Sequence, residues 1–505
     1  MPCFPPVASL AVGRGRFATP PWADDDPRHQ ELERRLPSGH LARCVAGAVA
    51  RLDLAVLFAA YAGRGSLPYP PDLLLKAVLY EVQRGHHSPA AWHRDAHDSG
   101  PVRWLLRGLT PTRSCWYAFR DRLGPQLEEL NRQALHQAVA QELTPAARGA
   151  LDGTAVAANA SRHKLVNAAT LAERVQQLTA EGGTEPSGTR PAWMAPTPTG
   201  RRRQRRRFQQ AQVHLAQRQA QNHARKKSKQ RPTDKIRVSP SDPEAALGLD
   251  KEDVFRPLYN VQLVDDLDSP FLLGYEVLDQ PNDAGAVGPL LARVNKLVGH
   301  PLHTLLADTA YTGGPDLAAA AAAGVCLYGP LPKDGARADK QIPKSAFTWS
   351  PKEQVYVCTQ GYQLVYAGSG RNKRSGAGSV LLDTYRCPPE HCTGCPLAAR
   401  CTPRPDKGRT VSRSVYEEMV EGLRERMATV EGKELYRRRS QTVELVNADW
   451  KEHRKLRRFS GRGLARARCQ VGLLVLSHNL LTLLAQKKKA EANKGPDVKP
   501  TETSP

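Results

Sequence analysis

The sequence predicts an α/β protein: a sheet flanked by helices, preceded by an all-α domain and interrupted by a cysteine-rich insertion. Three observations carry this. Between residues 257 and 334, β-rich runs alternate with helical ones. Residues 41–145 read as short helices with cap and stop signals. Four of the ten cysteines fall within residues 387–401.

Taken in order, residues 1–40 are rich in Pro, Gly and charge and read as a flexible N-terminal tail. In the helical domain 41–145, YPPDLLLKAVLYEVQRG (69–85) opens on a proline pair and stops at Gly85. SPAAWHRDAHDSG (88–100) has a Ser88 cap and a Gly100 stop, and TPTRSCWYAFRDRLG (110–124) repeats the scheme. Short basic-edged helices suit a DNA-binding helix-turn-helix-like module. A catalytic-type core is expected over 146–345 and 406–486. Within it, ALDGTAVAANAS (150–161) is a strand-like run, and 160–250 is a polar, basic, mostly helical insertion. PLYNVQLVDD (257–266) and FLLGYEVLDQ (271–280) form a hairpin around the turn-like LDSP. AGAVGPLLARVNKLVG (284–299) is a helix, HTLLADTAY (303–311) a buried strand, PDLAAAAAAG (315–324) a helix and VCLYGPLP (325–332) a strand. Residues 346–405 read as a loop-rich, cysteine-bearing insertion. Helix returns over 411–486, its last run VGLLVLSHNLLTLLA (471–485) apolar on most faces, and 487–505 reads as a disordered tail.

The 505 residues carry 73 Lys and Arg against 50 Asp and Glu, a net charge of +23. Mean hydropathy is −0.51 and no apolar run approaches the ~20 residues of a spanning helix, so no membrane role is expected. A strongly basic chain implies a polyanionic partner, most often nucleic acid. The charge is clustered: residues 201–231 hold twelve Arg or Lys and no acid, a pattern suited to phosphate-backbone contact. The expected location is the cytoplasm, with the nucleoid.

The residues that carry chemistry are acids. Ligands gather at the carboxyl ends of strands in open α/β sheets. Asp308 ends an apolar strand run, and Asp152 stands alone among small residues of another. If these strands adjoin, the two carboxylates converge, and a cation must relieve their repulsion. Mg²⁺ suits such hard oxygen ligands. A third acid is expected from a packed helix, and Glu444 in ELYRRRSQTVELVNADWKEHRKLRRFSGRG (434–463) is the candidate. Lys451 lies seven residues on, two turns along the same face, and Arg457 and Arg458 follow. Asp265, Asp266, Asp279 and Asp283 are rival acids, read as turn or supporting groups.

These motifs resemble a DDE transposase of bacterial insertion sequences, in the subgroup with an N-terminal helical domain and a cysteine-bearing insertion. The first acid sits in Asp152-Gly153-Thr154 with Asn159 and Ser161 following, and the second in Asp308 with Ala310 and Tyr311. The third belongs to the series Tyr436, Arg439, Glu444, Lys451. SDPEA (241–245) and YNVQ (259–262) also resemble pieces flanking the family's second strand, and the likeness covers most of residues 40–485. One departure is that four residues, not three, separate Arg439 from Glu444. The resemblance implies an RNase H-like mixed sheet. It also implies two-metal phosphoryl transfer, in which Asp152, Asp308 and Glu444 hold two Mg²⁺ (or Mn²⁺) ions about 3.5–4 Å apart. Tyr436, Arg439, Lys451, Arg457 and Arg458 would contact DNA. The partners implied are the element's terminal inverted repeats and target DNA, with a homodimer joining two ends. A catalytically inactive DNA-binding derivative and an RNase H-like nuclease without strand transfer are the alternatives.

Cys387, Cys392, Cys395 and Cys401 could enclose one structural Zn²⁺, with Cys358 able to replace a ligand. The Cys-x4-Cys-x2-Cys spacing also matches iron–sulfur ligation, but nothing nearby suggests electron transfer. Cys3, Cys44, Cys115, Cys326 and Cys469 are scattered and read as structural.

Overall fold

The computed structural model describes residues 17–61, 67–180, 190–225, 227–332, 342–373 and 379–493. The chain begins with eight helices: α1 (Pro27–Arg35), α2 (Leu41–Val49), α3 (Ala55–Ala59), α4 (Pro71–Gln83), α5 (Pro89–Asp98), α6 (Gly100–Leu105), α7 (Arg113–Leu123) and α8 (Leu127–Ala140). Their starts follow the expected capping. Ser88 Oγ accepts from the Ala91 N–H (3.2 Å) and Thr112 Oγ1 from that of Cys115 (3.4 Å), each satisfying an amide that the first turn leaves orphaned. The expected N-terminal tail, 1–40, is corrected in its second half. Residues 1–16 lie outside the described residues, but α1 forms behind an Asp26 cap and Trp22 is buried against Gly108. A Cβ at Gly108 would sit 2.6 Å from the Trp22 ring. The Pro- and charge-rich composition concealed one anchoring aromatic.

The core follows as β1 (Arg148–Ala157), α9 (Ala168–Ala180), α10 (Pro198–His223), β2 (Ala246–Leu249), β3 (Phe255–Asp266), β4 (Leu272–Leu278), α11 (Val287–Val298), β5 (Thr304–Leu306), α12 (Gly314–Ala322) and β6 (Cys326–Tyr328). β3 is antiparallel to β1 on one edge and to β2 and β4 on the other. β1 is parallel to β5, and β5 to β6. This is the expected mixed sheet flanked by helices. β3 is buried from Pro257 to Asp266, its apolar residues interrupted by the buried polar Asn260, Gln262, Asp265 and Asp266. α9 and α10 leave the sheet as an arm with its own small core around Leu171, Phe208 and Leu215, closed at the base by pairing of Val166 with Val238.

The cysteine-bearing insertion is a sheet rather than a loop-rich segment. It contains β7 (Thr348–Ser350), β8 (Val355–Val357), β9 (Gln363–Lys373), β10 (Ser379–Arg386), α13 (Pro389–Thr393), α14 (Ala398–Cys401) and β11 (Thr410–Ser414). Five antiparallel strands run in the order β11-β10-β9-β8-β7, so the insertion extends past residue 405. Gly and Ser within β9 disguise its strand pattern.

Three helices close the chain: α15 (Glu417–Ala428), α16 (Val430–Glu452) and α17 (Leu464–Asn493). The tail expected over 487–505 is therefore helical to Asn493, and 494–505 lie outside the described residues. α17 is long and apolar enough, by length and composition, to cross a membrane, which a count of unbroken apolar residues missed. It is also a core helix, packed on α8, α4, α2 and β4. Its Asn479 side chain donates to Leu272 O and accepts from Leu272 N–H (both 2.9 Å), pairing backbone groups of β4 as a neighbouring strand would.

Candidate active site and family

β1 and β5 run side by side with Ala150 opposite Leu306. Asp152 and Asp308 each lie two residues further on, so parallel pairing carries both acids to the same end of the sheet. Asp308 follows the last residues of β5 and caps the next turn, accepting from the Ala310 N–H at 2.7 Å. α16 crosses β1 from above. Arg439 Nη2 donates to Asp152 Oδ1 (3.0 Å) and to Leu151 O (3.1 Å). Asn447 Nδ2 donates to Asp152 Oδ2 at 2.8 Å. Val443, midway between them, is buried with Ala150 and Leu306. Arg439, Val443 and Asn447 recur every four residues, the stripe by which a helix faces a sheet.

The charges in this region act on one another. Burial pushes the Asp152 carboxyl up, the Arg439 and Lys251 cations pull it down, and Asp308 adds a further upward push. Burial lowers Lys451, as do Lys251 and Arg457, while Asp152 opposes the shift. Burial raises the Tyr436 hydroxyl, Arg439 lowers it and Asp308 raises it. Asp152, Asp308, Tyr436, Arg439 and Lys451 therefore share one field. Glu444 does not join them here. It is exposed and makes no hydrogen bond or ion pair among the described residues, because Val443 takes the inward position one residue before it. Arg457 and Arg458 are exposed where the chain passes the end of β1, Arg458 bridging to Ala157 and Arg457 pairing with Glu252 and Glu452.

Gly153 is fixed by what lies behind it. A Cβ there would come within 2.6 Å of Asp283 Oδ1, Gln262 Nε2 and the Tyr311 hydroxyl. Those groups form a network: Tyr311 donates to Gln262 Oε1 (2.5 Å), and Gln262 and Asn260 both donate to Asp283 Oδ1 (2.8 and 2.6 Å). Asp283 thus supports the strand from behind. Asp266 accepts from Thr144 and Ser269 and braces the β3–β4 turn. Asp265 is fully buried one strand from Asp152, with Oδ2 unpartnered, and burial and the Asp152 charge hold it well above the usual carboxylate range. Asn159, downstream of Asp152, anchors the end of β1 by donating to Ser460 O at 2.7 Å. Ser161 Oγ accepts from the His163 N–H at 3.3 Å. Sequence reasoning missed Asn447 and Lys251; only its place two four-residue steps beyond Arg439, through Val443, pointed to Asn447.

Cys358, Cys387, Cys392, Cys395 and Cys401 line one cavity of ≈ 20 Å³ in the insertion. Burial and a hydrogen bond with Cys392 push the Cys387 thiol up to about 12. Cys44, Cys115, Cys326 and Cys469 lie apart, and Cys3 is outside the described residues. A second group of potential ligands was not foreseen. His86 Nδ1 lies 2.7 Å from Glu81 Oε2 and 2.8 Å from Asp95 Oδ2, between α4 and α5 and remote in the chain from Asp152.

Two family models match the chain, a transposase DDE domain over residues 357–484 and a transposase domain (DUF772) over residues 30–122. These matches support a DDE transposase of insertion-sequence type. No curated protein and no solved structure matches it. The DDE match spans most of the insertion and α15, α16 and most of α17, and the other spans α1 to α7. The DDE match supports a nuclease or transposase enzyme and implies DNA binding, in a family that generally uses divalent metal ions. The chain's mixed α/β architecture is that of an RNase H-like core. Asp152 and Asp308 fall outside both matched segments, so their assignment rests on sequence motif and geometry.

Proposed function

We propose that this transposase cuts DNA at the ends of its insertion sequence and joins the freed 3′ ends to target DNA. The observation that carries the reading is the parallel pairing of β1 with β5, which sets Asp152 beside Asp308 under the basic helix α16. Two mutually repelling carboxylates flanked by Lys451, Lys251 and Arg439 are a donor set for a divalent cation next to a phosphate. Asp152, Asp308 and Glu444 would hold two ions, Mg²⁺ or Mn²⁺. When bound, such ions make water or a DNA hydroxyl nucleophilic and neutralise the leaving oxygen. Glu444 lies about 100° round the helix from Val443 and shares a face with Lys451, so bringing it to the acids calls for a rotation or shift of α16 on loading with metal and DNA.

The remaining groups position the DNA. Arg439 and Asn447 fix the Asp152 carboxylate, Lys451 grips a phosphate next to it, and Tyr436 stands against Asp308. Arg457, Arg458 and the exposed arginines of α10 hold the backbone beyond the cut, and the N-terminal helices contribute further DNA contact. Joining two ends calls for a homodimer on DNA.

The test uses the DNA flanking the reading frame. Plasmid carrying those ends should be nicked only with Mg²⁺ or Mn²⁺, and a pre-cut end should be joined to a second plasmid. Asp152→Asn and Glu444→Gln should each lower both reactions roughly a thousand-fold or more, equivalent to several kcal/mol of lost transition-state stabilisation. Cleavage without joining would leave a nuclease. Equal nicking by the wild type and Asp152→Asn would leave a DNA-binding protein.

A further inference from the structure

The insertion between β6 and α15 has little to hold it together. Its buried cluster consists of three aromatic and two aliphatic side chains and two cysteines. A segment this thin in core ordinarily needs a metal or disulfides. Five thiols ring one cavity in it, and they come from three places. Cys358 lies in the turn between β8 and β9, Cys387 just past β10, and Cys392, Cys395 and Cys401 on α13, α14 and the link between them. Sequence proximity groups the last four; only the fold brings Cys358 to them.

Two of the sulfurs already accept hydrogen bonds from backbone amides. The Gln360 N–H donates to Cys358 Sγ and the Leu397 N–H to Cys395 Sγ, both at 3.4 Å. In each case the amide two residues on turns back to the sulfur, and N–H···S bonds of this kind stabilise a thiolate. The turns that allow this are held by backbone bonds. Cys358 N–H donates to Tyr362 O, and Gly361 N–H donates to Cys358 O (both 2.9 Å), with Gly361 at φ +83°. Tyr362 in turn stacks on His391 of α13 with ring centroids 4.3 Å apart. Arg409 joins the far side, donating to Cys401 O (2.7 Å) and Ile342 O (3.1 Å).

We propose that this cavity binds one Zn²⁺ through four thiolates, Cys358 and Cys395 among them and the other two from Cys387, Cys392 and Cys401. Among the described residues, the ligand atoms grouped within 4.8 Å of one another are those of Glu81, His86 and Asp95, so the sulfurs ring their cavity more widely. Zn–S bonds of about 2.3 Å bring sulfurs to about 3.8 Å apart, so binding draws the β8–β9 turn onto α13 and α14. Zinc is the fitting ion because an all-sulfur, oxygen-poor site selects it over Mg²⁺. The ion clips together a domain fastened to α15 by the Arg413–Glu421 (2.8 Å) and Lys344–Glu417 (2.6 Å) pairs. This inference does not rest on the strand-transfer reading.

Full-length protein purified without chelator should contain about one zinc per chain. Cys358→Ser and Cys395→Ser should each lose at least half of it, whereas Cys326→Ser, at an exposed site elsewhere, should keep it. Should the variants misfold, the wild type still decides. A mercurial reagent should release zinc in step with about four thiols, and zinc release should open the insertion to protease. Metal-free protein with fully reactive thiols, a disulfide among the five, or bound iron with its visible absorbance would each overturn the zinc site. Full zinc retention by Cys358→Ser would remove Cys358 from it.

Discussion

At Asp152, two side chains of α16 hold both carboxylate oxygens, so the group is oriented before any ligand arrives. Asn447 is the informative one, since among the described residues its side chain donates to Asp152 while its own Oδ1 has no partner. Asn447→Ala should leave the thermal midpoint nearly unchanged and raise the Mg²⁺ concentration needed for half-maximal cleavage about 10–100-fold, as losses behind a metal ligand do. Gly153→Ala acts differently. Its new methyl meets the ends of the Asp283, Gln262 and Tyr311 side chains at once, so it fits only by disturbing the hydrogen bonds among them, and should cost about 1–3 kcal/mol in urea unfolding. A third residue ties stability to pH. Glu81 is fully buried, and burial and its hydrogen bond with Asp95 raise it from 4.5 to about 8. The folded state keeps this proton where the unfolded chain has lost it, so stability is full below about pH 4.5 and falls as pH rises through about 8. Thermal midpoints from pH 5 to 8.5 should decline, and Glu81→Gln should flatten that slope.

The elements differ in how openly the sequence declared them. β3 and β4 were legible because β-branched, aromatic and aliphatic residues crowd around the turn-like LDSP between them, and the helices α5 and α7 because caps mark their ends. Asp152 and Asp308 could be paired on paper because Asp308 ends an apolar run and Asp152 stands as the lone acid of another, and adjoining strands can bring two such acids side by side. The insertion was not legible as a sheet, since β9 carries Gly368, Ser369 and Gly370 where a strand pattern calls for β-branched residues. Nor could residue spacing fix the rotation of α16. One step along a helix turns a side chain by about 100°, enough to exchange Glu444 for Val443 at the sheet. The α9–α10 arm was visible as charge but not as a hairpin, because its core is only a handful of residues. That small core makes the arm separable in function. Arg202, Arg203 and Arg206 are exposed on α10 and brace nothing in the sheet. Replacing all three by Ala should reduce the slope of log K against log salt for DNA by roughly 2–3, at about 0.9 per phosphate contact, without shifting the thermal midpoint.

Across the whole molecule, the helical region and the sheet are not two bodies joined by a linker. One hydrophobic cluster runs from Leu36 through α4, α7 and α8 into β3, β4 and α17. Polar bonds cross the same boundary: Asn131 Nδ2 donates to Gly472 O (3.2 Å), Gln83 Nε2 to Ser477 Oγ (2.6 Å), and Arg466 pairs with Asp121 (2.8 Å). The segment between α16 and α17 is clamped to the end of α4, with Arg454 Nη1 donating to Gln83 O (2.7 Å) and Ser460 Oγ to His87 O (2.8 Å). That segment also carries Arg457 and Arg458 and anchors Asn159 beyond Asp152. On the proposed reading, DNA held by the N-terminal helices would sit at a fixed distance from Asp152 and Asp308, with no flexible joint between the two. The physical consequence is shared stability. Residues 17–145 alone would expose the apolar faces of α4 and α8 that α17 covers, and a chain ending at residue 463 would expose β4 as well. Both truncations should aggregate or keep far-UV dichroism while losing the near-UV signal, and the full chain should lose its helical region and its sheet in one cooperative transition. A fragment 17–145 that folded alone with a sharp transition would show that the helices form a separate domain after all.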